Sequence, residues 1–189
     1  RIVTRQNGPD GQIVNKVLIS EGASIKREYY LSIVNDSENS RYCLIASAFG
    51  GMDIEEIAVN SPDAIIQQHI NPEIGLKDYH VREVAGRIGV PSSLQNSFIK
   101  IAKQLFKLFI EKDCSLVEIN PLAETCDGNI VALDIKIDFD SNALFRHPEV
   151  TALRDIAEED PNEVEASKYD LNYITLNGNI GCMVNGAGL

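Results

Sequence analysis

Residues 115–138 constrain this chain more than any other segment, because two alternating apolar and polar runs flank an Asp127-Gly128 pair. Asp-Gly between such runs is a strong β-hairpin signal. The loop length then decides which side chains meet. With a three-residue loop, Cys126-Asp127-Gly128, and glycine in the left-handed position, Thr125 opposes Asn129. Counting outward sets Asn120 opposite Asp134 and Glu118 opposite Lys136, while Ile119 meets Ile135 and Val117 meets Ile137 on the other side. One face is then polar and the other apolar, as a half-buried sheet needs. A two-residue loop would set Asn120 against Ile135 and mix the faces, so it is discarded.

The polar face gathers a carboxylate (Glu118), a carboxamide (Asn120), a second carboxylate (Asp134) and an ammonium (Lys136) at cross-strand distance. Oxygen ligands from one Asp and one Asn, with the remaining positions left to water and phosphate oxygens, suit Mg²⁺. Pro121 ends ladder pairing where such a ligand would sit. Lys136 either meets a phosphate or neutralises Glu118 across the strands. The competing reading is a solvated sheet face with one weak ion pair, worth about 0–1 kcal/mol. Pattern alone leaves both open.

Around the hairpin the chain reads as strands followed by helices. Residues 14–19, 28–34 and 42–47 are β-prone runs bounded by turn residues, which predicts an antiparallel meander. Ser61-Pro62-Asp63 reads as a helix start opening residues 64–68. A second helix is expected over 79–88, stopped by Gly89 and Pro91, and the strongest over 94–112. There Ser92 and Gln95 form a capping-box pattern, and Leu94, Phe98, Ile101, Leu105, Leu108 and Phe109 make a core-facing stripe. The tract 155–165 has six carboxylates and no base, reads as a solvated helix or linker, and predicts a domain boundary near residue 160. Beyond it, two short strands are expected over 173–176 and 180–184, the second running into the Gly-rich loop 185–188. In an α/β domain such a loop opens a helix over a bound anion.

Composition excludes several classes. The 189 residues include 17 Lys+Arg against 28 Asp+Glu, a formal charge of −11, with 44% hydrophobic residues. That apolar share belongs to a globular chain, not a disordered one. The negative balance argues against nucleic acid and against anionic membrane surfaces as partners. No apolar run reaches the roughly 18 residues of a membrane span. Cys43, Cys114, Cys126 and Cys182 have wide, irregular spacings, so neither a zinc site nor a disulfide framework is signalled. Cys43 and Cys182 sit in apolar runs and are expected to be buried, which fits a reducing compartment. His69, His80 and His147 form no ligand pattern, and no D-x-D-x-D-G calcium loop occurs. With no initiator Met, no leader pattern and a Gly-rich last stretch, the chain is expected to be a piece of a longer protein at both ends.

Several motifs resemble one family. Glu118-Ile119-Asn120-Pro121-Leu122, Leu133-Asp134-Ile135-Lys136, Asp140-Ser141-Asn142-Ala143-Leu144-Phe145-Arg146 and Leu171-Asn172-Tyr173 are joined by the long run 177–189. Together they resemble the β subunits of the succinyl-CoA synthetase (succinate–CoA ligase) family, over essentially the whole chain. The earlier runs 14–19 and 27–31 are similar to that family's strands around the adenine hinge.

The resemblance implies an α+β fold. Residues 1–158 would be the C-terminal part of an ATP-grasp domain, an antiparallel sheet with flanking helices, and 159–189 the start of a flavodoxin-like CoA-ligase domain. It implies Mg²⁺ on Asn120 and Asp134, with Glu118 as the catalytic residue that orients a phosphohistidine. It places Glu28 on the nucleotide, with the hinge around Ser20 and Ala23 offering backbone groups to the base. Whether Ser20 or Glu21 takes the family's glutamate position depends on a one-residue alignment choice. Asn185 would belong to the substrate-side site. The implied ligands are ATP/ADP, with GTP/GDP as the alternative pair, and succinate. The implied partner is an α subunit that carries the phosphohistidine and binds CoA, so none of His69, His80 or His147 is the phosphoryl carrier. Related malate–CoA and citrate–CoA ligases share the architecture, and a non-catalytic nucleotide-binding module is the alternative of a different class. The location implied is the cytoplasm, or the mitochondrial matrix for a eukaryotic source. The piece alone is not expected to catalyse the reaction.

Overall fold

A computed structural model describes residues 11, 14, 16–169, 171–176 and 178–185. The chain divides into two compact units, 1–143 and 144–189.

The first unit is built on a six-stranded antiparallel sheet. Strand β1 (Ile25–Asp36) pairs with β2 (Arg41–Ser47) from Tyr30 opposite Ser47 to Asp36 opposite Arg41. Strand β3 (Ile65–Ile70) adds to the far side of β2, and β4 (Cys114–Thr125) lies along the other side of β1. Two short strands, β5 (Ile130–Ala132) and β6 (Ile135–Phe139), run end to end along the outer edge of β4 and are interrupted at Leu133 and Asp134.

The hairpin register is the one the sequence predicts. Glu118 pairs with Lys136, Val117 with Ile137 and Ile119 with Ile135, and the Asn120 N–H donates to the Asp134 carbonyl at 3.1 Å. The turn is Cys126-Asp127-Gly128, with Gly128 at φ +81° and its N–H donating to the Thr125 carbonyl. Left-handed backbone at that position is what glycine supplies without steric cost.

One irregularity in β4 goes beyond the predicted alternation. Against β1, the partners run Leu31 with Ile119 and then Tyr29 with Leu122. Two residues, Asn120 and Pro121, therefore oppose the single Tyr30, which is a β-bulge. The Asn120-Pro121 peptide bond is cis. Past the bulge the parity of β4 reverses: Leu122 joins Val117 and Ile119 in the core, and Glu124 follows Leu122 to that side.

Helices α2 (Asp78–Arg87) and α3 (Gln95–Glu111) cover one face of the sheet. Val81, Val84, Phe98, Ala102, Leu105 and Phe109 pack on Leu31, Ile33, Leu44, Val117, Ile119 and Leu122. Both helices lie where periodicity places them. The Ser92–Gln95 capping box does not form: Leu94 is the N-cap, and its N–H donates to the Pro91 carbonyl in a tight turn.

Two sequence expectations are corrected in this unit, and one helix is added. Residues 64–68 are not a helix: Pro62–Ala64 makes a single 3-10 turn, and β3 follows. The local Ser-Pro-Asp signal is overridden by tertiary pairing, because Ile66 and Ile70 are buried on a two-residue period against β2. Residues 14–19, as far as they are described, form no strand, and Leu18 and Ile19 are 94% and 89% exposed. The reason is topological, since both edges of β1 are already taken by β2 and β4. A short helix α1 (Ile54–Asn60) went unforeseen; the Asp53 side chain caps it by accepting from the Glu55 N–H at 3.2 Å.

The second unit opens within the 3-10 helix Ser141–Arg146 and contains α4 (Pro148–Thr151), a 3-10 turn Ile156–Glu158 and α5 (Pro161–Ser167). The acidic tract is thus partly helical. Asp155 and Asp160 use their carboxylates as N-caps, and Arg154 makes two 2.6 Å bonds to Glu159. The expected strands over 173–176 and 180–184 are absent among the described residues, and Cys182 is exposed instead of buried because no sheet forms there to cover it. Residues 186–188 of the Gly-rich loop lie outside the described residues. Cys43, by contrast, is 4% exposed, as expected.

Phe98 is fully buried between the helices and the sheet. Truncation there removes a large ring and leaves a cavity, so Phe98→Ala should cost about 3–5 kcal/mol. Urea denaturation of the chain should show the lowered midpoint with little change in slope.

Candidate metal and nucleotide site

The sheet face opposite the helices carries the polar residues that the hairpin register predicts. Glu118 and Asn120 on β4, with Asp134 in the break between the edge strands and Lys136 on β6, line one open cleft of about 480 Å³. Its other wall is the loop after β2, including Gly51, Met52 and Asp53, together with Glu55 at the start of α1. The core-facing neighbours Val117 and Ile119 are 0% and 2% exposed, so the alternation across β4 separates chemistry from packing.

The Gly50-Gly51 turn is the piece that sequence reasoning missed. It reads there only as the end of a strand, yet it ties two expected site residues together. The Gly50 N–H donates to the Glu28 carbonyl at 3.1 Å, and the Gly51 N–H donates to Asn120 Oδ1 at 2.7 Å. Asn120 Nδ2 in turn donates to the Met52 carbonyl at 2.9 Å, which fixes the orientation of its amide. A Cβ on Gly50 would lie 2.5 Å from the Tyr29 carbonyl oxygen, and one on Gly51, at φ +68°, would lie 2.9 Å from Glu28 Oε2. Both positions need glycine, and the doubled glycine is the sequence signal for so close a backbone approach.

Asn120 Oδ1 is a carbonyl oxygen with two lone pairs, so accepting from Gly51 leaves one for a cation. Among the described residues no group of three or more His, Cys, Asp or Glu side chains is arranged to hold a metal. A pair of oxygen donors, Asn120 and Asp134, at the edge of an open cleft fits a hard ion that keeps water or takes phosphate oxygens for its other positions. That is the habit of Mg²⁺ and not of zinc. Lys136 does not neutralise Glu118: its ammonium is 3.9 Å from Asp138 and two-thirds exposed. Glu118 instead accepts a 2.9 Å hydrogen bond at Oε2 from the Tyr30 hydroxyl. Burial, reinforced by the neighbouring Glu118 carboxylate, pushes the Tyr30 phenol above its ordinary value, so it stays a protonated donor.

The structure brings Glu28, Glu118, Asn120 and Asp134 to this one region. Ser20 and Ala23 lie in exposed, irregular chain ahead of β1, and Asn185 is an exposed residue of the second unit. The three histidines lie outside the lining of the cleft. His69 is 3.3 Å from Asp36, His80 accepts from the Lys77 N–H, and His147 is nearly buried in the second unit.

Residues 1–124 match the sequence model of the ATP-grasp domain. The chain belongs to the ATP-grasp family. Its relatives include the β subunits of ADP-forming succinate–CoA ligase from Exiguobacterium sibiricum and Bacillus subtilis. These are 53% and 54% identical over 188 residues, covering all of this chain and 49% of each relative. The chain therefore spans about half the length of the curated relatives it matches. Among solved structures, ATP citrate lyase from Methanothrix soehngenii, in complex with citrate and coenzyme A, aligns with a TM-score of 0.57 at 19% identity. The alignment covers 77% of this chain and 33% of that one; what the two share is the fold. No helix among the described residues is long and apolar enough to cross a membrane.

The ATP-grasp sheet also holds a charged cluster that sequence reasoning did not find. Glu124 is 2% exposed because the bulge has turned it toward the helix face, where Lys26 donates to it at 2.7 Å and the Tyr29 hydroxyl at 3.2 Å. The bond from Lys26 holds the Glu124 carboxyl below the usual carboxylate range against the opposing effect of burial. A depressed folded-state value means that this contribution is complete above the unfolded value of about 4.3 and is lost as pH falls through the folded one. The stability gap between the parent chain and Glu124→Gln should therefore be widest near neutral pH and should close below about pH 4. Urea midpoints measured from pH 7 to pH 3 check this; a gap that stays constant would remove the cluster from the account.

Proposed function

We propose that this chain is the nucleotide- and Mg²⁺-binding part of the β subunit of a succinate–CoA ligase. The whole enzyme would interconvert succinate, CoA and a nucleoside triphosphate with succinyl-CoA, a nucleoside diphosphate and phosphate, through a phosphohistidine on an α subunit. One observation carries the reading. A chain about 53% identical to such β subunits along its whole length also gathers Glu28, Glu118, Asn120 and Asp134 around one glycine turn. On this reading residues 159–189 begin the CoA-ligase domain, Asn185 belongs to its substrate side, and Ser20 and Ala23 meet the base. The compartment is the cytoplasm of a bacterial cell.

Phosphoryl transfer asks the protein for position and charge balance more than for covalent chemistry. Asn120 and Asp134 would hold the Mg²⁺, which when bound neutralises phosphate charge. Glu28 stands beside the glycine turn, where the nucleotide would lie. Glu118 accepts the N–H of the partner's imidazole, so that the other ring nitrogen faces the γ-phosphorus. None of these groups needs to bond covalently to the substrate. Their placement on one rigid sheet keeps the reacting atoms aligned.

The test is made on the full-length β chain assembled with its α subunit. Asp134→Ala should abolish most Mg-dependent nucleotide binding, read by calorimetry with and without the metal; unchanged affinity would sink the metal assignment. Glu118→Ala should still bind Mg-nucleotide but should phosphorylate the α subunit about 100-fold more slowly, the scale of loss for a misplaced reacting group. A normal phosphorylation rate would end the role given to Glu118. Succinate, malate and citrate compared as acceptors, with ATP and GTP as donors, fix the substrates.

A further inference from the structure

Glu118 sits on an exposed cleft wall, yet its carboxylate has a defined partner. Tyr30 is 3% exposed and stands at the bulge, the one residue of β1 facing both Asn120 and Pro121. Its hydroxyl donates to Glu118 Oε2 at 2.9 Å. A phenol has one proton to give, and this bond uses it. Among the described residues no other side chain bonds the Glu118 carboxylate, so Oε1 remains available to a second donor. Lys136, the cross-strand neighbour, is engaged with Asp138. The arrangement is a carboxylate steered by a neutral group that costs it none of its charge.

We infer that Tyr30 is a positioning residue for Glu118, fixing the carboxylate so that its second oxygen meets the N–H of the partner subunit's imidazole during phosphoryl transfer. This rests on the proposed part played by Glu118. Tyr30 does not act on the nucleotide; it acts through the orientation of the carboxylate. Alternation along β1 makes this geometry available: Leu31 and Ile33 face the core, so Tyr30 shares the cleft face with Ser32, which pairs with Glu118, while Asn120 stays bonded to the glycine turn. A hydrogen bond to a charged group is worth enough that its loss should slow the step by about 10- to 100-fold.

The experiment uses the full-length β chain in complex with its α subunit and reads two quantities. One is the single-turnover rate constant for α-subunit phosphorylation; the other is the dissociation constant for Mg-nucleotide. Tyr30→Phe should lower the rate constant 10- to 100-fold and leave the dissociation constant within about twofold. In a Glu118→Ala background it should add no further loss, since nothing is left to orient. Tyr30→4-aminophenylalanine, which keeps a donor at the same place, should recover most of the rate. Tyr30→4-methylphenylalanine, which fills the space of the hydroxyl without donating, should not, and this pair decides the matter if the phenylalanine variant folds poorly. A normal rate constant in both donor-free variants overturns the inference, as does a rise in the dissociation constant with an unchanged rate, or losses that multiply in the double variant. If Glu118→Ala alone is normal, the reading of Glu118 falls and this inference falls with it. If Glu118→Ala is slow while Tyr30→Phe is normal, only the inference about Tyr30 is lost.

Discussion

The pairing of β4 with the edge strands β5 and β6 is the constraint on which the rest of this unit depends. A left-handed glycine at position 128 closes a three-residue turn and sets the edge-strand partners of β4 from Leu116 to Glu124. Because side chains alternate, a slip of one residue would carry Val117 and Ile119 into the cleft and drive Glu118 and Asn120 under α2 and α3. That state would strand a carboxylate and an amide in the core and expose two residues now almost fully buried. Both costs oppose the slip, so the register is enforced by burial as much as by the turn.

The bulge at Asn120 and Pro121 then divides β4 into two parts with opposite parity. Just before it, Glu118 and Asn120 face the cleft; after it, Leu122 and Glu124 face the helices. Proline suits that point because it has no N–H to offer a ladder. Breaking the alternation has a consequence on the core side, where an acidic residue arrives at 2% exposure and must be satisfied. Lys26 reaches it from a second irregularity in β1, between Ile25 and Arg27, and Tyr29 reaches it from within the core. On the cleft side Tyr30 reaches Glu118 by the plain alternation of β1, whose Ser32 pairs with Glu118. One extra residue in a strand thus adds a polar cluster on the core face and leaves the cleft face as alternation sets it.

These relations explain what could be read from the chain and what could not. The hairpin, α2 and α3 are local features, written in turn chemistry and in periods of two and of three to four residues, and they stand where expected. Asn120, Asp134 and Glu118 followed from the hairpin register because all three lie within it. The strand β3 was hidden by a Ser-Pro-Asp helix signal that applies to only one turn, and residues 14–19 carry strand propensity while both edges of β1, the strand that follows them, are taken by β2 and β4. Tyr30 and the Gly50-Gly51 turn are distant from the hairpin in sequence, and only the β1–β4 pairing brings them to it. Glu124 was out of reach for a different reason: simple alternation assigns it to the cleft face, and the bulge reverses that.

The cleft is lined by four carboxylates, Asp53, Glu55, Glu118 and Asp134, against one ammonium, Lys136. A polyphosphate entering it would meet charge of its own sign, which a cation at the oxygen pair formed by Asn120 and Asp134 would offset. An additional lysine on Glu118 would ease that repulsion, but it would also cancel the charge that lets Glu118 attract a second donor. A buried phenol gives the carboxylate direction and leaves its charge intact. The negative balance of the whole chain, −11, is thus carried into the cleft itself, where carboxylates outnumber ammonium groups four to one.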